Sequence, residues 1–367
     1  GLQSRERTRG RPGGSSPAYA CCPNARWRGV KGGEMNHANK TALVTGANSG
    51  VGFEAAAQLA EDGWGKVILA CRSIEKAEAA KAQLVERTGK CPFDVLAVDT
   101  SEVASAHAAC DELRDRGETI DFLLLNAGGS AKDARFNSDG VEITYASTLI
   151  GHHVMAMRAL GDGVLSPHAR IVIAGSEGAR GNMPGMSVHD FSQIVADSSA
   201  GDLVAAIEAL SRLEHPVQAT FIHMNEYVTA KLLVAWWAAA LARRLPAGIT
   251  VNAVSPGAVL STSFARDANA MMRFVMIPMM KIFGPLMGMS GSIEKAARRY
   301  LDAASFGDEE TGHFYATAHR KKLAGPMGIQ TWPEYFHDTR GQEASFDAMV
   351  GLTGVGFPDT DGNRASV

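Results

Sequence analysis

Thr45-Gly46-Ala47-Asn48-Ser49-Gly50-Val51-Gly52 is answered much later in the chain by Tyr227-Val228-Thr229-Ala230-Lys231. The first stretch stands between a short apolar run, 41–44, and an Ala-rich helical segment, 53–62. In that context Gly46, Gly50 and Gly52 turn the chain tightly, let its backbone approach a pyrophosphate and aim a helix N-terminus at negative charge. Asn48, Ser49 and Val51 fill the same loop. In the second stretch Tyr227 and Lys231 are four residues apart, so on a helix they share a face. An ammonium beside a phenol favours the phenolate, and this spacing predicts a Tyr227 pKa lowered toward the range useful for proton transfer. Together the two stretches describe a dinucleotide-binding fold whose own helix carries the acid for hydride transfer.

Outward from the glycine loop, apolar runs alternate with helical-period segments, the pattern of a parallel sheet covered on both faces. Strands are expected at 41–44, 66–71, 93–98, 122–125, 170–174, 249–254 and 313–316, and helices at 53–62, 75–87, 103–116, 138–160 and 224–244. The prediction is an α/β chain: one doubly wound, Rossmann-type domain over 40–352 with a mostly parallel seven-stranded sheet. A tail follows at 353–367. Residues 1–39 form an expected disordered extension, rich in Gly, Ser and Pro, with Arg5, Arg7, Arg9, Arg11, Arg26, Arg28 and Lys31 against Glu6 and Glu34. It has no apolar core for a signal peptide and no amphipathic period, and Met35 reads as a natural start.

Two stretches break the rhythm. Residues 177–223 form a long insertion ahead of Tyr227, with a helical pattern of their own over 202–213. Residues 265–291 are apolar, and 271–289 hold seven of the fifteen methionines; a Met-rich lid over a bulky apolar substrate fits, because Met adapts to irregular surfaces.

A chain of 367 residues, 46% hydrophobic, can bury a large core. Its net charge of -3 offers no electrostatic footprint for nucleic acid. No apolar run is long enough for a membrane span, and Arg273 and Lys281 beside the Met-rich stretch allow only weak peripheral contact. The odd set of five cysteines lacks metal-ligand spacing; Cys71 and Cys110 read as small core residues in a reducing, cytoplasmic setting. His152, His153, His189, His215 and His223 form no helical pair with a third ligand nearby, so no metal site is expected. His152 and His153 should face opposite ways, and Trp236 and Trp237 read as core or subunit-contact residues. After the second strand stands Ala70-Cys71-Arg72-Ser73. An acidic residue there would accept from a ribose 2′-hydroxyl, whereas Arg72 suits a 2′-phosphate through a charge-assisted pair. NADP(H) is therefore preferred over NAD(H), with a solvated surface Arg as the alternative.

From about residue 40 to about residue 320 the chain resembles the short-chain dehydrogenase/reductase family. The resemblance rests on the T-G-x-x-x-G-x-G loop, on Asn126-Ala127-Gly128 at the end of the fourth strand, on Ser176 closing the fifth, and on Tyr227 with Lys231. It implies that Ser176 hydrogen-bonds a substrate carbonyl, that Tyr227 is acid or base, and that Lys231 tunes it and holds the nicotinamide ribose. It further implies Asp99 at the adenine amine, Asn126-Ala127-Gly128 beside the cofactor, and Pro256, Gly257 and Thr262 at the nicotinamide carboxamide. Homodimers or homotetramers packing through 138–160 and 224–244 are the family expectation.

Two departures stand out. Members commonly carry an asparagine in an Asn-x-x-Gly-His context, where it holds a water for proton relay. Here Thr148 precedes Gly151-His152, and a hydroxyl cannot replace an amide's donor and acceptor pair. The gap from Ser176 to Tyr227, 51 positions, is also several times the usual dozen. Within the family the chain looks most like the branch of retinol dehydrogenases and protochlorophyllide reductases. The carrying features are Arg72-Ser73 with Lys76-Ala77, the segment Gly140–Tyr145, and the insertion. The expected activity interconverts a carbonyl and an alcohol, or reduces an activated double bond. A protochlorophyllide reductase-like enzyme and a catalytically weak NADP(H) sensor or scaffold are the alternatives.

Overall fold

The computed structural model describes residues 37–183, 185–197, 202–214, 221–258 and 291–358. Thr262, the Met-rich stretch up to residue 290, His215 and the Arg-rich leader lie outside the described residues.

Strand β1 (Thr41–Thr45) feeds the glycine loop and helix α1 (Gly50–Glu61). Then come β2 (Lys66–Cys71), α2 (Ile74–Thr88), β3 (Phe93–Ala97), α3 (Val103–Asp115) and β4 (Ile120–Leu125). Helix α2 starts where Ser73 accepts from the Lys76 amide and stops where Gly89 turns left-handed, the two ends its sequence signals. A short turn α4 (Ile143–Tyr145), a π-helical stretch (Ala146–Ile150) and α5 (Gly151–Gly161) lead to β5 (Leu165–Ala174). The insertion holds a 3₁₀ turn (Glu177–Arg180), α6 (Phe191–Asp197) and α7 (Leu203–Ser211). Helix α8 (His223–Ala242), β6 (Thr250–Val254), α9 (Ile293–Ala303), β7 (Phe314–Thr317), β8 (Met327–Ile329) and α10 (Thr339–Thr353) follow.

The sheet runs β3-β2-β1-β4-β5-β6-β7-β8, parallel except for β8 against β7. It thus has eight strands among the described residues, not seven; the three-residue β8 is too short and Gly-rich to show a two-residue period. Strand order reverses between β1 and β4, which opens a crevice at the carboxyl ends of the strands. Apolar clusters pack on both sheet faces, so the central strands read as continuous hydrophobic runs.

The helix expected at 138–160 starts later and is broken. Asn137 Oδ1 accepts from the amides of Asp139 and Val141, and Glu142 caps Thr144, so the backbone donors of a first turn are already engaged. Both ends of the expected domain also extend further. His37 stacks on Trp64 at 4.8 Å, and the Val355 carbonyl accepts from His153 Nε2 at 2.7 Å, with Phe357 packed on the core.

The helices named as packing faces between subunits are covered within the chain. Every residue of α8 from Val228 to Leu241 is buried, and α10 and the insertion pack around it. Trp236 and Trp237 are core residues, donating to the Tyr335 carbonyl and to His153 Nδ1. No helix among the described residues is long and apolar enough to cross a membrane.

Candidate active site

All the predicted strand-end segments converge on one cleft of about 840 Å³. Gly46, Asn48, Ser49, Gly50 and Val51 form one wall, Arg72 and Asp99 the far end, and Asn126, Ala127 and Gly128 the floor. Tyr227, Lys231, Pro256 and Gly257 close the other end. Gly52 stands behind the wall: a Cβ there would lie 2.4 Å from Asn126 Nδ2 and 2.6 Å from the Gly46 carbonyl oxygen, so only glycine lets α1 approach the fourth strand.

The loop is held by Thr45. Its hydroxyl oxygen accepts from the amides of Asn126 (2.8 Å) and Ala127 (2.9 Å), while Asn126 Nδ2 donates to the Thr45 carbonyl. His152 completes the arrangement. Its Nδ1 lies 3.0 Å from the Thr148 carbonyl, which can only accept, so Nδ1 carries the proton and Nε2 accepts from Thr45 Oγ1 at 3.0 Å. Burial holds this ring neutral, pushing its pKa down to about 3. As expected, His152 and His153 face opposite ways, one to the glycine loop and one to Trp237.

Asp99 uses Oδ1 locally, accepting from the amide and hydroxyl of Ser101, and still lines the cleft. Arg72 is exposed at the cleft end, and Lys76, in the first turn of α2, joins it there. Lys76 was not anticipated as a site residue; its position four after Arg72 is the signal that marks it. Tyr300 of α9 was also missed, since a lone buried tyrosine on a helix has no motif.

At the end closed by Tyr227, Ser176 follows β5, caps the 3₁₀ turn by accepting from the Gly178 amide at 3.1 Å, and acts on the Tyr227 phenol, lowering its pKa. Lys231 is buried and donates to the Ala174 carbonyl at 2.7 Å, with its nitrogen 5.8 Å from the Tyr227 ring centre. Burial alone pushes the Lys231 ammonium down to about 8. The expectation that Lys231 depresses Tyr227 does not hold in this arrangement. Burial raises the phenol above its ordinary value, the Ser176 hydrogen bond offsets part of that, and the nearby Glu177 charge raises it further. Lys231 spends its hydrogen bond on Ala174, away from the phenol.

Thr148 lies in the π-helical stretch with its hydroxyl buried and without a hydrogen-bond partner. A Cβ on Gly128 would stand 3.0 Å from that oxygen, so the Asn-Ala-Gly turn packs directly on the substituted position.

The short chain dehydrogenase family model matches residues 40–192, a span that contains the glycine loop, Arg72, the Asn126 turn and Ser176. Over that span the chain is similar to the short-chain dehydrogenase family. The match ends inside the insertion, ahead of Tyr227 and Lys231. A WW domain-containing oxidoreductase of Danio rerio is 30% identical over 230 residues, 62% of this chain and 51% of that protein. The chain thus spans about half the length of that relative. The short-chain dehydrogenase/reductase phmF of Phaeosphaeria nodorum is 26% identical over 360 residues, 92% of this chain and 97% of its own. An actinorhodin polyketide ketoreductase crystallised with NADPH shares the fold, with a TM-score of 0.55 at 21% identity over 76% of this chain and 96% of that one.

Proposed function

We propose that this chain is an NADP(H)-dependent oxidoreductase of the short-chain dehydrogenase family that interconverts a carbonyl and an alcohol on an apolar, bulky substrate. The observation that carries this reading is the meeting of Tyr227 and Lys231 with the glycine loop in one cleft, with Ser176 standing next to the lining residue Gly175 and interacting with Tyr227. The cleft has the elements a dinucleotide needs: backbone close-packed at Gly52, the N-terminus of α1, and Arg72 with Lys76 at the end reached by β2. Bound NADPH would supply the hydride. A phenol kept protonated by burial is the form that donates, so Tyr227 is suited to protonate the carbonyl oxygen while Ser176 hydrogen-bonds it. Lys231, with a pKa brought near neutrality, is poised to share charge with the site as that proton leaves.

The test is fluorescence titration with NADPH and NADH for the wild type, Arg72→Ala and Tyr227→Phe, followed by turnover on a carbonyl panel. Loss of a charge-assisted pair of about 1.5–3 kcal/mol weakens NADPH roughly ten- to hundred-fold in Arg72→Ala and leaves NADH unchanged. Tyr227→Phe keeps nucleotide affinity and loses turnover. Equal affinity for both nucleotides would overturn the role of Arg72 alone. Binding of neither would replace the enzyme reading with that of a scaffold.

A further inference from the structure

Directly behind the proposed site lies an ion pair that no motif announces. Glu177, the residue after Ser176, and Arg299, the residue before Tyr300, meet at 3.2 Å, with their side chains 6% and 9% exposed. Each oxygen of the carboxylate is engaged. Oε1 accepts from Arg299, from the Thr317 amide at 3.1 Å and from the Thr317 hydroxyl at 2.9 Å; Oε2 accepts from the Ser255 hydroxyl. The guanidinium also donates to the carbonyls of Ser255 (2.9 Å) and Gly325 (2.8 Å) and to Thr317 Oγ1 (2.9 Å).

The Ser255 hydroxyl in turn accepts from the Gly257 amide at 3.1 Å. Gly257 has φ +81°, and a Cβ on it would lie 2.9 Å from Arg299 Nη1, so the cleft wall at Pro256-Gly257 is moulded onto the pair. One carboxylate therefore joins the end of β5, where Ser176 sits, to the turn after the adjacent strand β6. Desolvating two charges is costly, and apolar residues of similar volume commonly hold a fold as well or better. What an apolar pair cannot reproduce is the directional grip on Ser255 and Thr317.

We infer that Glu177 and Arg299 act as a positioning pair, holding the Ser176 hydroxyl in register with the Pro256-Gly257 wall so that a carbonyl on Ser176 faces the hydride donor. This rests on the functional reading above. Neither residue touches substrate; both act through Ser176 and the 255–257 turn. A second effect follows from the charge itself, because Glu177 disfavours the Tyr227 phenolate. Neutralising it eases ionisation of Tyr227.

The test compares wild type, Glu177→Gln and Ser255→Ala in NADPH titration, steady-state kinetics in both directions, the pH profile and thermal melting. In Glu177→Gln, NADPH affinity stays within about threefold while kcat falls on the order of 100-fold, the cost of a misplaced reacting group. The pH at which alcohol oxidation gains rate moves downward, since the phenolate forms more readily. Ser255→Ala leaves the charge pair in place, lowers kcat by about tenfold, and does not shift the pH profile; it decides the matter if Glu177→Gln does not fold. A lowered melting temperature with kcat, KM and pH profile unchanged would make the pair structural only and overturn the inference. A wild type that binds neither nucleotide would instead overturn the functional reading, and this role with it.

Discussion

His153 shows how much a single side chain can hold. Its Nε2 donates to the Val355 carbonyl and its Nδ1 accepts from Trp237, so the ring must be neutral with its proton on Nε2. Burial pushes its pKa down to about 4, and that of His152 to about 3, against roughly 6.5 in an unfolded chain. Between those values the unfolded chain binds protons that the folded one refuses. Stability is therefore full above about pH 6.5 and falls as the pH drops toward 4, by about 3 kcal/mol for His153 alone. Glu142, whose burial raises its carboxyl, works with the opposite sign, so the contribution is best isolated by substitution. Urea midpoints of His153→Gln, which keeps a donor and an acceptor, should vary less between pH 7 and pH 4 than those of the wild type. At this scale the sequence was legible where a motif sits at a strand end: Gly46 follows β1, Asn126 follows β4, and Ser176 stands two residues past β5. Glu177, Arg299 and Tyr300 were not legible, because their partners are distant in sequence and no local spacing encodes them.

Among the elements, strands were read more reliably than helix limits. Their buried apolar runs leave little choice, whereas the start of the 143–161 helical region depends on which side chain captures its first amides, here Asn137 and Glu142. The insertion was recognised by length, and its α7 by apolar period, but its purpose shows only in packing. With α10 it encloses α8, whose apolar residues point all round and show no polar face. Phe346 of α10 is a keystone of that enclosure, edge-on to His153 at 5.4 Å and under the Arg244 guanidinium at 4.2 Å. Phe346→Ala should lower stability by about 3–5 kcal/mol through the cavity it leaves. Denaturant titration beside NADPH titration checks this, with nucleotide affinity in the folded variant unchanged because α10 lies outside the cleft.

For the whole molecule, the enclosure of α5 and α8 bears on assembly. Subunits that pair through those helices need their outer faces free, and here α5 packs against α3, and α8 against the chain's own C-terminal helix and the 3₁₀ turn of the insertion. Light scattering on the purified protein should give the mass of one chain over the micromolar range. A stable dimer would have to bury a different surface. The doubly wound, mostly parallel sheet followed from the alternation of runs and from one glycine motif. The eighth strand and the covered helices did not, since both are consequences of how the last third of the chain folds back.

That folding back also sets an order in time. Glu177 is bonded to Thr317, 140 residues further on, and to Arg299, 122 further on. As the chain leaves the ribosome, the strand pairs among β1 to β4 and the Asn126 bond to Thr45 have their partners well before this carboxylate has Ser255, Arg299 and Thr317. Until Thr317 emerges, the carboxylate lacks two of the hydrogen bonds that hold it. The side of the cleft built on β1 to β4 can thus be formed before the side that carries Ser176 is tied down.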